Sequence, residues 1–198
     1  MNIEDADMEI TLPILQSIEQ QSNITQRSLS QRLGLALGLI NTYLKHCLSK
    51  GLIKIEQIPA NRYLYYLTPK GFAEKSRLTA EYLSRAFKFY REASDSCLRV
   101  FLHCQQKNWH RIILCGISDL AEIALLQATH AEVKIIGIYD PFSDQDHYLN
   151  QTVLRTLDEL SNDVALMITS ISSARKMRKK LLEIVAEERI LVPDILGL

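Results

Sequence analysis

Gly38, Asn41, Thr42 and Lys45 fall at spacings that place all four on one side of an α-helix, with Leu37 at its border. Asparagine can pair with adenine in the major groove of DNA, threonine can touch a thymine methyl or a phosphate, and lysine reaches phosphate or guanine. The opposite side carries Ile40, Leu44 and Leu48 at i, i+4 and i+8, so the helix is amphipathic. A merely solvated helix face is the plain alternative to base contact. Further along, Arg62 at a turn suits a phosphate or a narrow minor groove, where negative potential is concentrated. Asn61 shapes that turn, and Lys54 and Lys70 suit contacts to the sugar-phosphate backbone.

A second constellation lies in Cys115-Gly116-Ile117-Ser118-Asp119-Leu120-Ala121-Glu122, between a strand-like and a helix-like run. Dinucleotide-binding turns carry G-x-G-x-x-G or A there, because glycines let backbone N–H groups approach phosphate at a helix start. Here Gly116 and Ala121 match, Ser118 takes the middle place and Asp119 adds a charge that repels phosphate. Asp140 ends the next strand 24 residues after Gly116, near where an acid holds ribose hydroxyls. The expected ligand residues are therefore Gly116, Ser118, Asp119 and Asp140, set against a degenerate module that serves only as scaffold. The same turn is a poor nucleophile elbow, since Leu120 stands where the second glycine is needed. With no acid–base pair or nucleophile assembled, the chain reads as a non-enzyme that needs no cofactor. Cys97 and Cys104 are about 10 Å apart along a helix, too far to share one metal ion, so no metal site is expected. Arg175, Lys176, Arg178, Lys179 and Lys180 read as a solvated helix face, with an anion or DNA backbone as the alternative.

The elements that must position these residues follow from periodicity. Ile10, Ile14, Leu15 and Ile18 have helical spacing; Thr25 is the N-cap of a short helix through Leu29 and Leu33 that Gly34 ends. The amphipathic helix from Leu37 stops at Lys50-Gly51, which makes a helix-turn-helix. Leu52 to Gln57 and Tyr63 to Leu67 flank a turn with Pro59 and Asn61, a hairpin that acts as a wing. Thr68-Pro69 opens a long helix to about Gln106. Along it Leu83, Ala86, Tyr90, Ala93, Cys97, Val100 and Cys104 form a seam at alternating spacings of three and four, which predicts a homodimer through helix 69–107, the alternative being that the seam packs against the chain's own domains. After Trp109 the pattern alternates: strands at Arg111 to Cys115, Val133 to Tyr139, Val164 to Thr169 and Ile190 to Val192, with helices at Leu120 to Thr129, His147 to Leu160 and Ser173 to Glu187. Such alternation specifies a small parallel Rossmann-like α/β sheet.

Composition narrows the class. Of 198 residues 47% are apolar, enough for a packed core, and no run approaches the roughly 18 apolar residues of a membrane span. The acidic start lacks the pattern of a secretory leader, and four scattered cysteines suggest reduced thiols, so a cytoplasmic protein is expected. The zero net charge conceals an asymmetry. Residues 10–92 hold 12 Lys/Arg against 5 Asp/Glu, whereas residues 93–198 hold 11 against 14, so the first half suits a polyanion.

The stretch Gly34 to Lys54, and Arg62-Tyr63-Leu64-Tyr65-Tyr66-Leu67-Thr68-Pro69-Lys70-Gly71 with Glu74-Lys75 and Arg77-Leu78-Thr79 after it, resembles the MarR-type winged helix-turn-helix regulators associated with exopolysaccharide biosynthesis. The resemblance covers about residues 8–92. It implies a dimeric transcription regulator with a recognition helix at Leu37 to Lys50 and a wing tip at Ala60 to Arg62. Ala36 stands where such proteins commonly carry a capping serine, and Leu39 where a basic residue is common. The whole reads as α/β: a winged helix-turn-helix at 8–68, a linker and dimerisation helix at 69–107, and a Rossmann-like domain at 109–198. The expected function is sequence-specific binding of double-stranded DNA, controlled by a nucleotide or nucleotide-sugar-like effector. The alternative is a winged-helix interaction scaffold with a non-catalytic Rossmann module.

Overall fold

The computed structural model describes residues 3–59, 62–157 and 160–198. The chain forms two units, one ending at Ala86 and the other spanning Phe87–Leu198, divided inside one long helix.

The first unit is three helices and a hairpin. α1 (Ile3–Gln20), α2 (Gln26–Leu33) and α3 (Leu37–Ser49) are followed by β1 (Ile53–Ile58), β2 (Arg62–Leu67) and the start of α4 (Pro69–Gln106). Thr25 and Ser28 form a reciprocal capping box at the start of α2, and Gly34 ends that helix at φ +64°. Ile14, Leu15, Ile18, Leu29, Ile40 and Leu44 are buried together in one core, each contributing about 1.5–3 kcal/mol by leaving water. The hairpin is antiparallel in register from Ile53 opposite Leu67 to Ile58 opposite Arg62.

The segment Thr68-Pro69-Lys70-Gly71 locks α4 to this unit. The Thr68 hydroxyl donates to the Gly51 carbonyl at 2.7 Å and accepts the Gly71 N–H at 3.0 Å. A Cβ on Gly71 would lie 1.9 Å from the Leu52 carbonyl oxygen, so only glycine lets the helix seat so closely.

In the second unit, α4 continues into a layered α/β structure. Its strands are β3 (Arg111–Cys115), β4 (Lys134–Tyr139), β5 (His147–Tyr148), β6 (Gln151–Leu154), β7 (Val164–Ile168) and β8 (Ile190–Leu191), with helices α5 (Asp119–Ala128) and α6 (Ala174–Leu181). The sheet order is β5-β6-β4-β3-β7-β8. All neighbours are parallel except β5 with β6. The chain returns past its first strand between β3 and β7, a topological switch point. Alternate strand residues face opposite layers. Ile112, Leu114, Ala165 and Met167 pack on α4 and α5, while Ile113, Cys115, Leu166 and Ile168 pack on α6.

Three expectations are corrected. The helix expected at His147 to Leu160 is a hairpin instead, turned by Leu149 and Asn150 at φ +45° and +61°. Val153 and Leu154 complete the sheet beside Ile138 and Tyr139, and that ladder prevails over helical spacing. The helix expected at Ser173 to Glu187 stops at Leu181. Beyond it the chain bends so that Val185 packs on the same sheet face as Met177 and Leu181. The apolar seam of α4 is divided: Ala93, Cys97 and Cys104 are buried in the chain's own core, whereas Leu83 and Tyr90 are exposed. Those buried seam residues are taken up by the chain's own core.

Candidate nucleic-acid interface

α3 turns its outer face to solvent. Gly38, Thr42 and Lys45 are exposed, and Leu37 and Leu39 beside Gly38 are exposed too. The fold requires this orientation because Ile40, Leu44 and Cys47 occupy the core side. Thr42 donates its hydroxyl to the Gly38 carbonyl at 3.0 Å. Asn41 is half-buried, and its carbonyl oxygen is enclosed without a hydrogen-bond partner among the described residues. Ala36 occupies the N-cap with no side-chain bond to the helix.

Around this face the other expected contacts are spread over several elements. Lys54 is exposed on β1 with its ammonium 5.3 Å from the Tyr66 ring, a cation–π contact. Lys70 donates to the Lys50 carbonyl at 2.8 Å, which places it at the C-terminal end of α3. Arg62 is the first residue of β2; its side chain, and all of Asn61, lie outside the described residues. Composition did not single out the start of α2. Gln26 and Arg27 line a cleft of about 870 Å³ with Leu37 and the wing residues Ile58 and Tyr63. The available signal was the Thr25 cap, which fixes where α2 begins and so where Arg27 projects.

The residues expected to hold a ligand in the second unit do come together, and much of their hydrogen-bonding capacity is used internally. The Ser118 hydroxyl accepts the Leu120 N–H at 3.1 Å and donates to the Thr169 carbonyl at 2.5 Å. It is the N-cap of α5, with Asp119 following in the first turn. The Asp140 carboxylate accepts the N–H groups of Ile117 and Phe142, each at 3.1 Å. Gly116 has φ +108°, and a Cβ there would sit 2.4 Å from the Ser170 Cβ. The glycine thus serves the approach of two loops. Thr169 closes the same junction, donating its hydroxyl to the Gly116 carbonyl at 2.6 Å.

The thiols are poorly placed for redox chemistry. Burial pushes Cys97 and Cys104 up to about 12 and raises Cys115 as well, so all three stay protonated near neutral pH. On α6, Arg178 pairs with Glu187, and Lys176 and Lys180 lie 4.8 and 5.4 Å from the exposed Phe142 ring.

Three helices, the second and third joined by a tight turn, with a two-stranded wing after them, define a winged helix-turn-helix domain. Residues 9–54 match the winged helix-turn-helix DNA-binding family. Among solved structures, that of a MarR family transcription regulator is similar at 24% identity and a TM-score of 0.38, covering 41% of this chain and 56% of that one. The chain thus spans a little over half the length of that regulator. No curated protein matches. Among the described residues no helix is long and apolar enough to cross a membrane.

Proposed function

We propose that this chain is a sequence-specific transcription regulator that binds double-stranded DNA through α3 and its wing. The observation that carries the reading is the uncovered face of α3, with Gly38, Thr42 and Lys45 in solvent inside a segment of the DNA-binding winged-helix type. In this reading Asn41, Thr42 and Lys45 meet base edges, and Lys54, Asn61, Arg62 and Lys70 meet the backbone or minor groove. The regulator works as a homodimer through helix 69–107. Support comes from the middle of α4, where Tyr82, Leu83, Phe87, Phe89 and Tyr90 are all exposed, an apolar cluster that water disfavours. Two recognition helices then address successive major grooves of a roughly palindromic site.

The first unit is read as a MarR-type domain of the exopolysaccharide-associated kind, and the second, read as Rossmann-like, is the effector module. A nucleotide or nucleotide-sugar-like ligand sits at Gly116, Ser118, Asp119 and Asp140, with Asp140 exchanging its bond to Ile117 for a ribose hydroxyl. One observation favours a second reading, a non-binding scaffold: Ser118 and Asp140 already have their partners inside the loop. A thermal-shift series with nucleotides and nucleotide sugars separates the two, with Asp140→Ala as control. Stabilisation abolished by the substitution supports the effector site; none with any ligand supports the scaffold. DNA binding itself is tested by sedimentation of the full chain with duplex fragments. Two chains per duplex agree with the proposal, and a free monomer beside free DNA contradicts it.

A further inference from the structure

The first turn of α3 is apolar where it meets solvent. Leu37 is 42% exposed and Leu39 37% exposed. Gly38 between them has open space where a Cβ would stand. The polar groups of the next turn are partly spent, since the Thr42 hydroxyl is bonded to the Gly38 carbonyl and the Asn41 carbonyl oxygen is turned inward. The Ala36 cap adds no hydroxyl. The N-terminal turn of a recognition helix is the part that reaches base edges. Here that turn holds few groups able to read a hydrogen-bond pattern and two leucines that water solvates poorly. In the major groove the apolar group on a base edge is the C5 methyl of thymine.

We infer that this turn selects its duplex by thymine methyl groups, with Leu37 and Leu39 packing on them and Gly38 setting the distance of approach. The inference rests on the DNA-binding reading above and names the sequence class that it takes. Lys45, two turns further on, and Lys54 on the wing supply charge that is indifferent to the methyl. Burying one methyl supplies about a fourfold preference, so two contacted thymines multiply to about fifteenfold.

The test uses the full chain. The tightest duplex is selected from a random pool, and each of its thymines is replaced in turn by uracil, which removes the methyl and keeps the base pairing. Fluorescence anisotropy then measures each affinity. The inference expects about a fourfold loss at one or two positions in each half-site. It also expects a Leu37→Ala/Leu39→Ala variant to bind thymine and uracil duplexes alike, while Lys54→Ala weakens both equally. Tight binding with no thymine–uracil difference, or selection of sites without thymine under α3, overturns this inference and leaves DNA binding standing. Failure to bind any duplex at low salt overturns both.

Discussion

Gly38→Ala separates what the fold needs from what a partner needs. Gly38 lies in the first turn of α3, at an ordinary helical φ, with nothing within 4 Å of the place a Cβ would take. Alanine is the better helix former by about 0.5–1 kcal/mol, and a first-turn position justifies the lower figure, about 0.5 kcal/mol. The variant should therefore be slightly more stable, with its urea midpoint moved upward. On DNA the new methyl points outward from the reading face and would have to fit against a base edge or sugar. An overpacked contact costs about 1–3 kcal/mol, from roughly fivefold to more than a hundredfold in affinity. Circular dichroism in urea and anisotropy with a selected duplex read the two effects on the same preparation. Opposite signs agree with the account. A variant that binds as tightly as the parent refutes the claim that α3 meets DNA through this face, and a destabilised one refutes the open surroundings of Gly38.

Gly71→Ala should behave in the contrary way, because its Cβ would land 1.9 Å from the Leu52 carbonyl oxygen; a loss of about 3 kcal/mol in urea unfolding is expected. Lys54→Ala should lower the slope of log affinity against log salt by about one unit while leaving sequence preference unchanged. The Asp194 carboxylate is held below the ordinary range by the hydrogen bond from Ser96 and then by Arg99. A lowered folded value gives stability that is present above the unfolded value of about 4 and lost as pH falls through the folded one. Asp194→Asn should thus melt earlier than the parent at pH 7, and the gap should narrow as the pH falls below the unfolded value of about 4.

The first unit was legible in the sequence almost throughout, because its signals are local. Thr25, Gly34, Gly51 and Thr68-Pro69 each mark a helix end by their own backbone preference, and the structure uses each one so. The misplaced helix at His147 to Leu160 shows the opposite case. Val153 and Leu154 join a sheet whose partners, Ile138 and Tyr139, lie far off in sequence, and no local pattern reveals that pairing. The α4 seam has the same cause: Cys97 and Cys104 have coiled-coil spacing, yet the nearest apolar surface is the chain's own sheet. At the candidate sites, periodicity placed Gly38, Thr42 and Lys45 correctly on an exposed face. It could not show that Ser118 is spent as a helix cap or that Asp140 is bonded to backbone, since both depend on where two loops meet.

The most direct test of the account is the salt dependence of duplex binding by the full chain. Cationic residues along α3 and the wing predict firm binding near 50 mM salt, falling linearly on logarithmic axes with a slope of several units. Binding that is absent near 50 mM salt, or that ignores salt, would contradict the claim that this winged helix grips DNA.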